Sequence, residues 1–465
     1  MAATPPHALV FPFPAQSHVI SLLELSYCLL DRGFKITFLN TEFNHRRLLD
    51  TLSKEHPASA ATAELADGFR LASIPDGLGP AEDRNDIGKV IESMLAVMPG
   101  WLEDFMVNGE EKFTCLVADQ CMAWALDVAK KVGVRAASIF PASAAVLALN
   151  LSIPKLIADG VVDEEGEIKK HEIFQLSPQM PPMHPTQLSW NCFQDSKTRK
   201  IMFNYFADSN KSIVNADIIL CNTFHELEKP IFAYAPAIVP IGPLIAGSRP
   251  NKTAGNFWAQ DTKCIEWLDR QQQATVIYVA FGSFTVFNQH QFQELALGLE
   301  LTGHPFLWVV RPDLTDAADD NPINLSNFIE RVGDRGRLVG WCPQARVLAH
   351  PSVACFVTHC GWNSTLEGLR NGLPFLCWPY FGDQFLNQTY ICDIWRVGLR
   401  MIADTNGIYS KEQIRSKLEE LISGDVEIKE RSLAFKEMAY KSTLEKVGSS
   451  HDNFNSFINL IMKGV

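Results

Sequence analysis

Apolar positions in the first half of the chain fall into short runs that alternate with longer stretches of helical spacing. Ala8 to Phe13 is a compact apolar run. From His18 to Leu30, the residues Leu22, Leu23, Leu25, Tyr27 and Leu29 recur as on one side of a helix, and Gly33 stops it. Lys35 to Leu39 reads as a strand. The rhythm returns with a strand at Cys115 to Ala118, a helix from Met122 to Lys131, a stop at Gly133 and a strand from Ala136 to Phe140, and Ala216 to Cys221 adds another strand. Strand and helix in alternation, with short loops, predict a parallel sheet covered on both faces.

The pattern lapses near Ile241-Gly242-Pro243-Leu244 into a stretch rich in Gly, Pro, Ser and Asn that runs to about Asn256. It restarts with a strand at Thr275 to Ala280, a helix from Gln289 to Leu301 and a strand at Phe306 to Val310, then strands near Leu338, Ala354 to Val357 and Pro374 to Cys377. The fold expected is α/β, with two facing Rossmann-like domains and a cleft at the carboxyl ends of their strands. The boundaries read from the pattern are a first domain over 1–243, a linker over 244–256 and a second domain over 257–445. A terminal helix over 446–465 should pack back on the first domain. Ser410-x-x-Gln413 resembles a capping box ahead of Ile414, Leu418 and Leu421.

At 465 residues, 47% apolar and 20% charged, the chain is globular and too long for one ordinary core. A net charge of −12 with no basic cluster disfavours nucleic acid, so a bound phosphate must be held locally by helix ends and hydroxyls. The start lacks a signal-peptide pattern, no apolar run reaches the ~18 residues a bilayer requires, and the 11 scattered cysteines read as reduced. A cytoplasmic monomer is expected.

A dinucleotide reading fails on motif grounds. The G-x-G pair Gly77-Leu78-Gly79 has no third glycine, and no P-loop sequence exists. The informative window runs from Trp341 to Gln384. Its strand at Ala354 to Val357 ends at Thr358-His359-Cys360-Gly361-Trp362-Asn363-Ser364, where a helix opens. A helix start presents unpaired N–H groups and a positive dipole end, so a diphosphate would sit at Asn363 and Ser364. His359 can donate to the same oxygens, and Gly361 permits close approach. Glu367, one turn on, could accept from ribose hydroxyls, and Trp341 offers a face for a base. Singly, the tryptophan reads as well as core, and the Asn-Ser pair as a helix cap. His18 and Asp119 both stand at carboxyl ends of parallel strands. On residues alone, His18 reads as a capping or exposed histidine, and Asp119 equally as a cap for the helix that follows.

This 44-residue window, with W-C-P-Q at its start, H-C-G-W-N-S in its middle and D-Q at its end, closely resembles the plant secondary product glycosyltransferase box of family 1 UDP-glycosyltransferases. F-P-x-P-A-Q near the start, V-A-D in the middle and F-G-S after the linker extend the resemblance over the chain. It implies that Trp341 stacks on uracil, that Gln344 contacts the base or ribose and that Glu367 holds the ribose hydroxyls. His359, Gly361, Asn363, Ser364, Ser283 and Thr285 would serve the diphosphate, and Trp362, Asp383 and Gln384 the sugar. A terminal Gln384 favours glucose in this family. The family places its catalytic base at His18 and the supporting carboxylate at Asp119. Its usual Gly-His-x-x-Pro is here Ser17-His18-Val19-Ile20-Ser21, which bears on the loop more than on the chemistry.

The expected reaction is a single inverting displacement from UDP-glucose, as co-substrate, to a small hydrophobic acceptor such as a phenolic, flavonoid or terpenoid. It needs no metal, and the sequence holds no D-x-D triplet. Gln120 and Phe381 are candidates for the acceptor pocket, together with Met94 to Trp101, Phe140 to Ala145 and Met183 to Phe193. C-glycosyl transfer and a non-catalytic sugar-nucleotide binder are the alternatives.

Overall fold

The computed structural model describes residues 5–55, 57–109, 111–193, 195–245, 255–283, 285, 287–311, 325–424 and 426–462. Of the expected linker, 246–254 lies outside them. The chain forms two compact units, Met1–Phe257 with Lys441–Val465, and Trp258–Tyr440. Both crossings differ by a few residues from those read off the pattern, because Gly255, Asn256 and Phe257 are bound into the first unit. The Gln16 side chain donates to the Gly255 carbonyl (3.4 Å) and accepts from the Phe257 N–H (2.9 Å), and Arg47 lies 4.6 Å over the Phe257 ring. The return crossing falls inside the helix Val426–Ser442.

Among the described residues, the first unit holds eight strands: β1 His7–Phe11, β2 Lys35–Thr41, β3 Glu64–Ala66, β4 Phe69–Ile74, β5 Cys115–Asp119, β6 Arg135–Phe140, β7 Ile218–Cys221 and β8 Ile238–Pro240. Their order is β3-β4-β2-β1-β5-β6-β7-β8, parallel except for β3 on β4. β1 and β5 are buried throughout, as strands covered on both faces must be. The terminal helix Ser449–Met462 belongs to this unit. Its Phe457 and Ile461 are fully buried, Asn453 donates to the Pro240 carbonyl (2.8 Å) and Arg135 donates to the Leu460 carbonyl (3.2 Å).

The second unit, among the described residues, holds six parallel strands: β9 Val276–Ala280, β10 Phe306–Val309, β11 Gly336–Val339, β12 Val353–Thr358, β13 Phe375–Cys377 and β14 Gly398–Arg400, in the order β11-β10-β9-β12-β13-β14. Its core gathers Ile277, Val279, Leu295, Phe306, Trp308, Phe328, Val357 and Leu418. The capping box at Ser410 forms by half. Ser410 Oγ accepts from Gln413 N (3.3 Å), but the Gln413 amide turns away to bond both backbone groups of Ile402. Among the described residues, no helix is long and apolar enough to cross a membrane.

Both sheets reverse direction of growth at one place. In the first unit the chain moves outward from β1 to β2 on one side and from β5 to β6 on the other. In the second it does so from β9 and from β12. Diverging connections leave a crevice at the carboxyl ends of the two central strands, which is where open α/β sheets bind ligands.

The helix Trp362–Asn371, which follows β12, sits close on its sheet because Gly368 faces Phe375. A Cβ at Gly368 would lie 2.4 Å from that fully buried ring. Gly368→Ala should therefore lower stability by about 1–3 kcal/mol through overpacking, outweighing a gain of about 1 kcal/mol in helix propensity. Urea unfolding checks this, and a stabilised variant would contradict the close seating.

Candidate functional site

At the crevice of the first unit, β1 runs into the helix Gln16–Leu30, whose first turn carries His18, and β5 ends on Asp119. His18 Nδ1 lies 2.7 Å from Asp119 Oδ2. The carboxylate is fully buried, whereas the imidazole keeps 20% of its surface. The two oxygens of Asp119 divide two roles. Oδ1 accepts from the Cys121 N–H (2.8 Å), capping the short turn Gln120–Met122, while Oδ2 takes the imidazole and a longer bond from Phe13 N (3.3 Å). Cap and partner, alternatives in the sequence, are both realised. His18 caps nothing, since the helix starts at Gln16 behind Ala15 without a side-chain cap.

In the second unit, β9 leads into Phe281-Gly282-Ser283 and β12 into His359-Cys360-Gly361. The His359 ring fills the space between the two glycines. A Cβ on Gly282 would stand 2.7 Å from its Nε2, and one on Gly361 would stand 2.3 Å away. Cys360 between them takes φ +64°, an uncommon conformation for a side-chain-bearing residue and one that marks sites where geometry is imposed. Burial drives the His359 pKa down to about 4, against a hydrogen bond to the Ala280 carbonyl, and nearby Arg311 adds to the lowering. His359 Nδ1 and Thr285 Oγ1 are both buried with no partner among the described residues. An orphaned ring nitrogen three residues ahead of a helix start suits an anionic ligand.

The helix Trp362–Asn371 is capped by Gly361, which offers no side chain, and its first ladder bond runs from Thr365 N to the Gly361 carbonyl (2.9 Å). Asn363 and Ser364 thus sit in its first turn and are not its cap. The amide protons of Gln344 go to Ser364 Oγ (3.0 Å) and Glu367 Oε2 (2.6 Å), and its Oε1 accepts from Tyr278 OH (3.0 Å). In this arrangement it orients Glu367 and Ser364. The Trp362 ring is buried, 6.3 Å from Trp395, so the group it can offer a sugar is its backbone N–H. Gln384 turns its Oε1 onto the N–H groups of Tyr380 (2.7 Å) and Phe381 (3.1 Å), which points to its amide protons as the groups for hydroxyls. Asp383 Oδ2 accepts from Asn387 Nδ2 (2.8 Å); Phe381, two residues before it, and Ser283, in the loop after β9, are half-buried.

Three residues of this site were not singled out in the sequence. Trp258 packs on Trp341, with ring centroids 4.9 Å apart and planes 31° apart, which leaves no room for a base between them. Tyr278 lies inside β9 like any core residue. Arg311 is 3% exposed and donates to the Gly282 carbonyl (3.0 Å), putting a fixed positive charge near the β9 turn. A cation closing the apolar run Phe306 to Val310 was the available signal. Among the acceptor candidates, Gln120 is buried and accepts from Ser138 Oγ (2.6 Å). Met94, Met98 and Trp190 have no exposed surface and are core, so those segments do not line a pocket through these side chains.

A histidine on a buried aspartate at one switch point, and an orphaned buried imidazole ahead of a helix start at the other, suit a sugar-nucleotide-dependent transferase. Residues 210–437 match the family model described as UDP-glucoronosyl and UDP-glucosyl transferase. UDP-glycosyltransferase 83A1 of Arabidopsis thaliana is 42% identical over 470 residues, covering 99% of this chain and 97% of that protein. The chain belongs to the plant family 1 UDP-glycosyltransferases, with the GT-B fold. Among solved structures, Os79 from O. sativa in complex with UDP superposes with a TM-score of 0.80 at 28% identity, covering 98% of this chain and 100% of that one. Phytolacca americana UGT2, complexed with UDP-2fluoro-glucose and pterostilbene, gives 0.79 at 27% identity, covering 99% and 100%.

Gly361→Ala should raise the Kd for UDP about tenfold or more, since the new methyl displaces the His359 ring by a distance that alters charge-assisted bonds. Calorimetric titration of the folded variant checks it. A pH dependence follows from the same imidazole. Between pH 6.5 and about 4 the unfolded chain binds a proton that native His359 refuses. Stability should therefore fall on acidification through this window, by at most about 1.4 kcal/mol per pH unit from this group. His359→Gln should show a shallower slope in urea unfolding at pH 7 and pH 5.

Proposed function

We propose that the enzyme transfers glucose from UDP-glucose to a hydroxyl of a small hydrophobic plant metabolite, phenolic, flavonoid or terpenoid, with inversion at the anomeric carbon and without a metal. The observation that carries this reading is the 2.7 Å contact between His18 Nδ1 and fully buried Asp119. An ionised carboxylate only accepts, so Nδ1 holds the proton and Nε2 presents a lone pair to the acceptor hydroxyl. As the hydroxyl oxygen attacks the anomeric carbon, its proton passes to Nε2 and Asp119 stabilises the imidazolium. The departing diphosphate gathers negative charge at the start of the helix Trp362–Asn371, beside His359 and the buried Arg311. Fixed protein dipoles and a guanidinium at that place supply the stabilisation that a metal gives elsewhere. Glucose is supported by Gln384 and by the UDP-2fluoro-glucose bound in the Phytolacca americana structure, and a phenolic acceptor by the pterostilbene there.

Incubation with UDP-glucose and a panel of phenols and terpenols, read by mass spectrometry, should give hexosides, and proton NMR of the product should show the β-anomer. His18→Ala should lower turnover about 10²–10⁴-fold while leaving UDP affinity within about twofold. Asp119→Asn should fall in the same direction. Retained turnover in His18→Ala would refute the assignment of the base.

A further inference from the structure

Cys121 stands two residues beyond Asp119 and takes no part in the proposed reaction. Ligand atoms of His18, Asp119 and Cys121 all lie within 4.8 Å of one another, and among the described residues no other group of His, Cys, Asp and Glu meets that standard. We propose that these three side chains form a site for a thiophilic divalent cation of the zinc type, and that its occupancy switches the enzyme off by taking the imidazole and carboxylate away from proton transfer.

The donor set decides the class of ion. One nitrogen, one carboxylate oxygen and one sulfur suit zinc, cobalt or cadmium, whereas magnesium and calcium require oxygen. Zinc–ligand bonds of about 2.0–2.3 Å at tetrahedral angles separate neighbouring donors by about 3.3–3.7 Å. A cluster within 4.8 Å contracts to that size by side-chain rotation, and the 2.7 Å His18–Asp119 bond must open slightly to admit the ion. The carboxylate is already oriented, since its oxygens accept the N–H groups of Cys121 and Phe13, and the Cys121 carbonyl in turn accepts from Tyr205 OH. Ligating carboxylates held in this way bind better than free ones. Asp119 is buried, but His18 and Cys121 are only partly so, which leaves an approach from solvent. On binding, the thiol releases its proton to solvent, the His18 proton moves from Nδ1 to Nε2 by exchange with water so that the Nδ1 lone pair faces the ion, and thiolate and carboxylate together neutralise the charge. The fourth position stays open to water, and the imidazole–carboxylate relay is broken. The site itself rests on geometry alone; the inhibition rests on His18 being the base.

Cobalt(II) titrated into the nucleotide-free enzyme should give a thiolate-to-metal charge-transfer band at one equivalent, and zinc should displace it. Both Cys121→Ala and the near-isosteric Cys121→Ser should lack that band. Zinc should abolish turnover in the wild type, reversibly on adding chelator, while magnesium should not. Either Cys121 variant, compared with and without zinc, should need about tenfold more zinc or higher for the same fractional inhibition. Absence of the band, or its persistence in both Cys121 variants, overturns the site even if His18→Ala is inactive. A wild-type band accompanied by undiminished turnover under zinc leaves the site standing, and overturns both the inhibition and the assignment of His18 as base.

Discussion

Parallel strand pairing at the centre of each sheet is the constraint from which both halves of the chemistry follow. β1 lies beside β5 and β9 beside β12, each pair in register to its carboxyl end. Because the connections leave these pairs in opposite directions, each unit keeps one open place where two loops meet. A histidine and an aspartate 101 positions apart in sequence come within bonding distance at one of them. At the other, two glycine turns close around a histidine. No long-range electrostatic design is needed, for the chain is acidic overall and the positive groups at the anion site are local.

Burial then sets the character of each group. Asp119 has no solvent of its own, so the three donors aimed at it supply what water would otherwise provide. His359 is kept neutral by burial and remains a hydrogen-bond partner without carrying a charge, while Arg311, held by the Gly282 carbonyl, carries it. The division is physically economical. A permanently charged guanidinium tolerates burial when hydrogen-bonded, and a neutral imidazole can sit between two glycines without a counter-ion.

The box from Trp341 to Gln384 was legible because its residues are close in sequence and their strand–turn–helix setting follows from local pattern. The strand pairs carrying His18 and Asp119 were legible for the same reason, although their contact depends on neighbouring strands that only the family resemblance and the sheet rule connected. Strands β3, β4, β8 and β14 were not read. Three of them are only three residues long, and β4 carries Arg70 and Ser73 among its apolar positions. Tyr278, Arg311 and Trp258 escaped because their partners come from other strands, so nothing in their own neighbourhood sets them apart from core or surface residues. Gln344 shows the same: of its three hydrogen bonds, the one to Tyr278 on β9 comes from a strand far away in sequence.

The amide of Gln16, at the start of the helix that follows central strand β1, is tied to Gly255, Asn256 and Phe257, two positions before the imidazole on the same helical turn. The final glutamine of the F-P-x-P-A-Q motif thus spends both ends of its amide on holding Gly255, Asn256 and Phe257 against the helical turn that carries His18.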